Sequence, residues 1–318
     1  MLTAAETAAL LRTFDNVLIL THVRPDGDTV GCAAALCAGL RALGKTAYLL
    51  HNPELTNTTT PYFAPYTAPD DFVPEKVVST DIATVGLFPE NAKPYIGNID
   101  LAIDHHPSFE SFGKENIVRP EAAACGELMY DILATLGPIT PEIALPLYVA
   151  ISTDTGCFIY SNTTANTHRV AAELMDTGFN ATAVNKALFR TKSKNRLAME
   201  AQMAANMRLY DNDRIVVMEI PLSMVESLQA TQADVEELSS LAALVEGTDC
   251  GVTIRELAPG KSKISLRTGG RINASDACAM LGGGGHARAA GCTVECDMEE
   301  AREKILGAIA ALGGEFAR

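Results

Sequence analysis

The chain has 318 residues and a formal net charge of −14, with 47% hydrophobic and 20% charged residues. That length supports two domains with sizeable cores. The acidic balance excludes a protein that grips long duplex nucleic acid through Lys and Arg, yet admits small anionic ligands wherever positive charge, metal ions included, is concentrated.

From the amino end, MLTAAETAALLRTF is amphipathic and carries acidic Glu6, without the basic stretch and cleavage pattern of a signal peptide. No run of about 18 uncharged apolar residues is present, so no membrane span and no membrane partner are expected, and the cytoplasm is the expected compartment. VLIL (17–20) reads as a buried strand and 29–43 as a helix closed by Gly44. TAYLL (46–50), VVST (77–80) and IDLAI (99–103) read as further strands. The Thr- and Pro-rich NPELTNTTTPYFAPYTAPDDF between the second and third reads as a surface excursion. Helices are expected over 124–136, 141–152 and 165–177, the last closed by Gly178. Residues 182–210 are helix-forming, with basic residues gathered at 186–196. RIVVMEI (214–220), CGVTIREL (250–257) and KISLRT (263–268) then read as strands. The fold class is α/β in two domains: a parallel-sheet domain over 1–185, a helical connector over 186–210, and a smaller α/β domain over 211–318, with a ligand cleft between the domains. The eight cysteines read as reduced core residues.

Ionisable residues gather where the strands end. His22, Asp26 and Asp28 follow VLIL; Asp81 follows VVST; Asp104, His105 and His106 follow IDLAI; Asp154 lies in AISTDTG. Ligands of open parallel sheets bind outside the carboxyl ends of the strands, so these groups are expected to converge, with Asp154 at such an end as well. Taken singly, Asp-Gly-Asp also reads as a turn, Asp81 as a helix cap and Asp154 as a turn residue. Jointly, carboxylates with imidazoles suit Mn²⁺, Fe²⁺ or Zn²⁺, with room for two ions about 3.5–4 Å apart.

The order His-x-x-x-Asp-x-Asp, a later Asp after a strand, Asp-His-His, then Asp-Thr-Gly resembles the DHH phosphoesterase superfamily. LGGGGHARAAG (281–291) is similar to the Gly-Gly-Gly-His signature of the DHH-associated C-terminal domain. Within the superfamily, a two-domain chain of this length is most similar to the nanoRNase and 3′-phosphoadenosine-5′-phosphate phosphatase group, with hydrolases of cyclic and linear dinucleotides as relatives. The resemblance implies two divalent ions, Mn²⁺ foremost. His22 and Asp26 hold the first, and Asp28, His105 and Asp154 the second, with Asp81 between them. His106 faces the scissile phosphate and Asp104 orients a neighbouring histidine. One departure is IATVGLF after Asp81, more apolar than the family motif. The implied partners are short oligonucleotides, dinucleotides or adenosine bisphosphate, with a homodimer as an open assembly. An inorganic pyrophosphatase or polyphosphatase shares the N-terminal motifs but lacks the GGGGH domain. A non-catalytic nucleotide-binding regulator is the other alternative.

In the second domain, Gly283, Gly284 and Gly285 before His286 read either as a flexible loop or as side-chain-free backbone that a phosphate can approach. Arg288, Ala289 and Ala290 read as a helix start favouring anions. Arg267, ending KISLR, offers a planar fork for phosphate; related proteins carry a phosphate-binding Arg there.

Overall fold

The computed structural model describes residues 1–313, with the side chains of residues 236 and 237 outside the description. It divides into two compact units, Met1–Thr191 and Lys192 onward.

The first unit runs α1 (Ala4–Thr13), β1 (Val17–Leu20), α2 (Gly27–Ala42), β2 (Ala47–Leu49), α3 (Thr60–Phe63), β3 (Lys76–Thr80), β4 (Leu101–Asp104), β5 (Glu115–Val118), α4 (Cys125–Leu136), α5 (Pro141–Asp154), α6 (Ala165–Asp176) and α7 (Ala181–Asn185). Its five strands form an all-parallel sheet in the order β2-β1-β3-β4-β5. Strand alternation sorts the side chains onto two faces. Val17, Ile19, Val78, Leu101 and Ile103 join the large core with α2, α4 and α5. Leu18, Leu20, Val77 and Ala102 enter a second cluster with Ile82, Phe88 and Ile99. That second cluster accounts for the apolar residues after Asp81: Ile82 and Phe88 fill it. The segment expected to be a surface excursion is anchored, because Phe63 is wholly buried in the large core.

Two glycines set how closely α2 approaches α5. A Cβ on Gly31 would lie 2.3 Å from the Pro146 carbonyl oxygen, and one on Gly27 would lie 2.3 Å from Thr153 Oγ1. The second contact draws the start of α2 against the end of α5, which brings Asp28 beside Asp154.

Asp100, just before β4, laces the amino ends of the strands. It accepts from Val77 N at 3.0 Å, Lys76 Nζ at 3.3 Å and Lys114 Nζ at 3.1 Å. Burial alone raises its pKa, but the Val77 N–H and the two ammonium groups outweigh it and hold the carboxyl below the usual range. A depressed folded-state pKa gives stability that is present above the unfolded value and lost as pH falls through the folded one. Asp100→Asn is therefore expected to cost about 1–2 kcal/mol at pH 7. In urea melts, the gap to wild type should narrow on acidification below the ordinary aspartate range. A gap that widens in acid contradicts this account.

The second unit runs α8 (Lys194–Ala205), β6 (Arg208–Tyr210), β7 (Ile215–Ile220), α9 (Leu222–Ser227), α10 (Gln232–Glu236), β8 (Cys250–Ala258), β9 (Lys261–Thr268), α11 (Ala274–Ala279), β10 (Gly284–His286), β11 (Ala289–Val294) and α12 (Met298–Leu312). Its sheet order is β10-β11-β9-β8-β7-β6, antiparallel except for β7 with β8. Val252, Ile254, Ile264 and Leu266 pack towards α11 and α12. The stretch expected as a connector is divided. Residues 186–190 form one π-helical turn, while α8 buries Met199 and Met203 in the second unit beside Val216 and Met218.

The Arg288–Ala290 segment is not a helix start. β10 and β11 form a hairpin, with Gly285 opposite Ala290 and His286 opposite Ala289. The reason is period-two burial: Ala290, Cys292 and Val294 are buried alternately. A Cβ on Gly283 would lie 2.3 Å from the Gly291 carbonyl oxygen, and Gly285 has φ +147, so the glycines serve close strand approach.

Candidate active site

In the order β2-β1-β3-β4-β5 the chain leaves β1 in opposite directions on its two sides, so the crevice between the carboxyl ends of β1 and β3 is the switch point where such sheets bind ligands. His22, Asp26 and Asp28 follow β1, Asp81 follows β3, and Asp104–His106 end β4. Asp154 is corrected: it is the last residue of a helix, α5, not a strand end.

Asp26 and Asp28 stand close because each carboxylate is held by a different helix. Asp26 caps α2, its Oδ1 accepting from Asp28 N at 3.0 Å and Thr29 N at 3.2 Å. Asp28 is buried and turned to α4, where Cys125 N donates to Oδ2 at 2.7 Å and Gly126 N to Oδ1 at 3.0 Å. The α4 N-cap, Ala124, has no side-chain bond of its own, so Asp28 supplies one from 97 residues away. Cys32 Sγ adds a third donor at 3.3 Å.

Asp81 adopts φ +58, a left-handed conformation that aspartate tolerates better than most residues. Its carboxylate faces two histidines: Oδ2 is 3.9 Å from His22 Nε2 and Oδ1 is 3.7 Å from His105 Nε2. His22 Nε2 is also 3.5 Å from Asp26 Oδ1, and His105 Nε2 lies 3.7 Å from Asp28 Oδ2 and 3.6 Å from Asp154 Oδ2. Both rings donate from Nδ1 to backbone carbonyls, His22 to Val23 at 2.7 Å and His105 to Ala122 at 3.1 Å. A carbonyl only accepts, so Nδ1 carries a proton in both rings and Nε2 is the ring atom turned towards the carboxylates, a ligand atom when it is unprotonated.

His106 is held differently. Asp104, fully buried, accepts from both its backbone N (2.6 Å) and its Nδ1 (2.8 Å), leaving Nε2 free on a partly exposed ring. That hydrogen bond raises the His106 pKa against the opposing effect of burial.

Electrostatics test whether a cation fits. Burial, then repulsion from Asp154 and Asp26, pushes the Asp28 carboxyl well above its usual range. Asp81 is pushed up by burial and by Asp28, and Asp154 by burial despite His105. Asp81 Oδ1 is buried and has no hydrogen-bond partner. His22, Asp26 and Asp81 offer one set of converging ligand atoms, and Asp28, His105 and Asp154 another. Divalent cations fit: they satisfy that oxygen and offset the repulsion among the carboxylates.

In the second unit, a cavity of about 370 Å³ is lined by Arg255, Lys263, Arg267, Thr253, Ser265 and the β10 glycines among others. Of the residues expected there, Arg267, Gly284 and Gly285 line it, whereas Gly283, His286 and Arg288 do not. Arg255 and Lys263 were missed, although alternation carries the signal: Lys263, Ser265 and Arg267 share one face of β9, and Thr253 and Arg255 pair with Ser265 and Lys263. Arg255 donates to Gln232 Oε1 at 2.9 Å, while its buried Nε has no partner.

Carboxylates and imidazoles gathered at a sheet switch point suit divalent ions of the kind hydrolases use, and with the chain's family matches the class is that of metal-dependent phosphoesterases. Residues 16–151 match the DHH family, N-terminal domain, and residues 212–312 match the DHHA1 domain. The chain belongs to the DHH family. It is similar to the bifunctional oligoribonuclease and PAP phosphatase NrnA of Thermus thermophilus, 33% identical over 302 residues that cover 92% of this chain and 89% of the relative. The Bacillus subtilis protein of the same name is 24% identical, covering 90% of this chain and 92% of its own. An exopolyphosphatase-related protein from Bacteroides fragilis shares the fold, with a TM-score of 0.87 at 21% identity, covering 99% of this chain and 97% of that one. Among the described residues, no helix is long and apolar enough to cross a membrane.

Proposed function

We propose that this phosphoesterase hydrolyses short oligoribonucleotides, dinucleotides and adenosine bisphosphate, using two divalent ions, Mn²⁺ foremost. The observation that carries the reading is Asp81, whose two oxygens face two separate ligand sets. In this reading His22, Asp26 and Asp81 form one set, and Asp28, His105 and Asp154, with Asp81 shared, form the other. Ions held there supply an acidified water and positive charge for the phosphate oxygens. His106, fixed through Nδ1 by Asp104, presents Nε2 to a phosphate oxygen or gives its proton to the departing oxygen. Arg267, Lys263 and Arg255 bind a phosphate-bearing end of the substrate. Arg255 and Lys263 stand directly opposite one another in the sheet, a like-charge pairing that an anion relieves. The substrate class is supported by the names of the Thermus and Bacillus relatives, which cover nearly the whole chain.

The test is a substrate panel with Mn²⁺ and product chromatography. AMP is expected from adenosine bisphosphate and mononucleotides from a diribonucleotide, while pyrophosphate stays intact. Cleavage of pyrophosphate alone overturns the reading.

A further inference from the structure

The loop after α5 is built with care around an exposed ring. Gly156, Cys157 and Phe158 take φ of +56, +59 and +66, three consecutive left-handed residues of which two are not glycine. Backbone strain of this kind persists only where the surroundings over-determine it. Here Thr155 does so: its Oγ1 accepts from Phe158 N at 3.2 Å, and its carbonyl from Ile159 N at 2.9 Å and Tyr160 N at 3.0 Å. Phe158 turns inward against Tyr148 and stacks on His168 at 5.2 Å. The same turn throws Ile159 and Tyr160 outward, 78% and 60% exposed. Tyr160 is nonetheless supported. A Cβ on Gly156 would lie 2.4–2.7 Å from three atoms of the Tyr160 ring, so the ring rests on glycine backbone and only glycine leaves room for it.

We propose that Tyr160, flanked by Ile159, is a stacking platform for a nucleobase of the substrate. One face of its ring is fixed on Gly156 and the rest is open to solvent. Gly156 is two residues beyond Asp154, hence within about 7 Å of it along the chain. Asn162 ties the returning loop to the Asp154 carbonyl at 3.1 Å. A base attached to a phosphate at the carboxylate cluster is therefore the flat apolar group nearest to hand, and aromatic rings stack bases without regard to sequence. This rests on the nucleotide reading above.

The test is binding with Mn²⁺ present, using a non-hydrolysable dinucleotide analogue that contains 2-aminopurine, whose fluorescence is quenched by stacking. Wild type and Tyr160→Phe are expected to bind and quench alike. Tyr160→Ala should lose the quench and bind about 5- to 150-fold more weakly, the range one stacked base supplies. Metal content and cleavage of a small alkyl phosphodiester, which carries no ring to stack, should be unchanged. Equal binding and quenching by Tyr160→Ala overturns the platform while leaving the nucleotide reading intact. Failure of wild type both to bind the analogue and to cleave the parent dinucleotide overturns both. Sedimentation covers the other occupant: a variant that binds normally but loses self-association assigns the patch to a second copy of the chain, and the platform falls.

Discussion

Asp81→Asn is expected to strip the protein of bound metal and lower turnover by roughly 10³- to 10⁴-fold, the several kcal/mol of barrier lowering that divalent ions held by this carboxylate would supply. Asparagine is the right replacement. It tolerates the left-handed backbone that Asp81 adopts, so the change isolates the carboxylate from the turn. The variant keeps one oxygen but loses the charge that faces His22 on one side and His105 on the other. If Asp81 is shared between the two sets as proposed, elemental analysis should show both ions depleted. Loss of a single ion would assign Asp81 to one set only.

The same substitution carries an opposite expectation for folding. In chelated protein Asp81 contributes a buried oxygen without a partner and a carboxyl that burial and the nearby Asp28 push away from ionisation. An amide carries no charge and turns an N–H donor towards the neighbouring carboxylates, which should leave the Tm of the metal-free variant equal to or above that of metal-free wild type, while added Mn²⁺ raises Tm in wild type alone. A variant that melts well below wild type under chelation would mean that Asp81 supports the fold, and its lost activity could not be assigned to metal.

The site was legible in sequence to the extent that its groups follow apolar runs. VLIL, VVST and IDLAI are buried strands of a parallel sheet, and the ionisable residues directly after them converge because parallel strands end on one side. Asp154 escaped that logic. It arrives on a helix, placed by glycine contacts between α2 and α5 that no local pattern announces. Strand β5, ENIV, was missed because it is an edge strand with polar residues and only Ile117 fully buried. The glycine run misled in the other direction. Four glycines before His286 suggested a loop opening into a helix, whereas they let β10 lie against β11. Alternation along β9 puts Lys263 on the face of Arg267, whereas Arg255 is ordinary on its own strand and only the register sets it opposite Lys263. The bonds from Cys125 and Gly126 to Asp28 span nearly a hundred residues, and sequence spacing carries no trace of them.

Arg267→Ala is expected to separate substrate grip from chemistry. Arg267 belongs to the second unit and the carboxylate cluster to the first, so metal content should not change. On its strand Arg267 is paired with Gly251 on one side and Ala289 on the other, small neighbours that leave the guanidinium unobstructed. One of its nitrogens donates to the Leu266 carbonyl at 3.1 Å, which steadies the fork and leaves the remaining N–H groups for a ligand. Losing a charged, bidentate partner of a phosphate in a partly enclosed cavity costs about 2–4 kcal/mol, so kcat/KM for adenosine bisphosphate should fall by roughly 30- to 1000-fold. A small aryl phosphodiester with no second phosphate should lose little. Lysine at this position keeps the charge but not the fork, and should recover only part of the loss. Lys263→Met, removing a point charge from the same face, should cost less than Arg267→Ala and reduce the salt dependence of KM. If both substrates decline equally in Arg267→Ala with metal retained, Arg267 acts at the reaction itself or supports the fold, and the cavity is not where the substrate's phosphate is held.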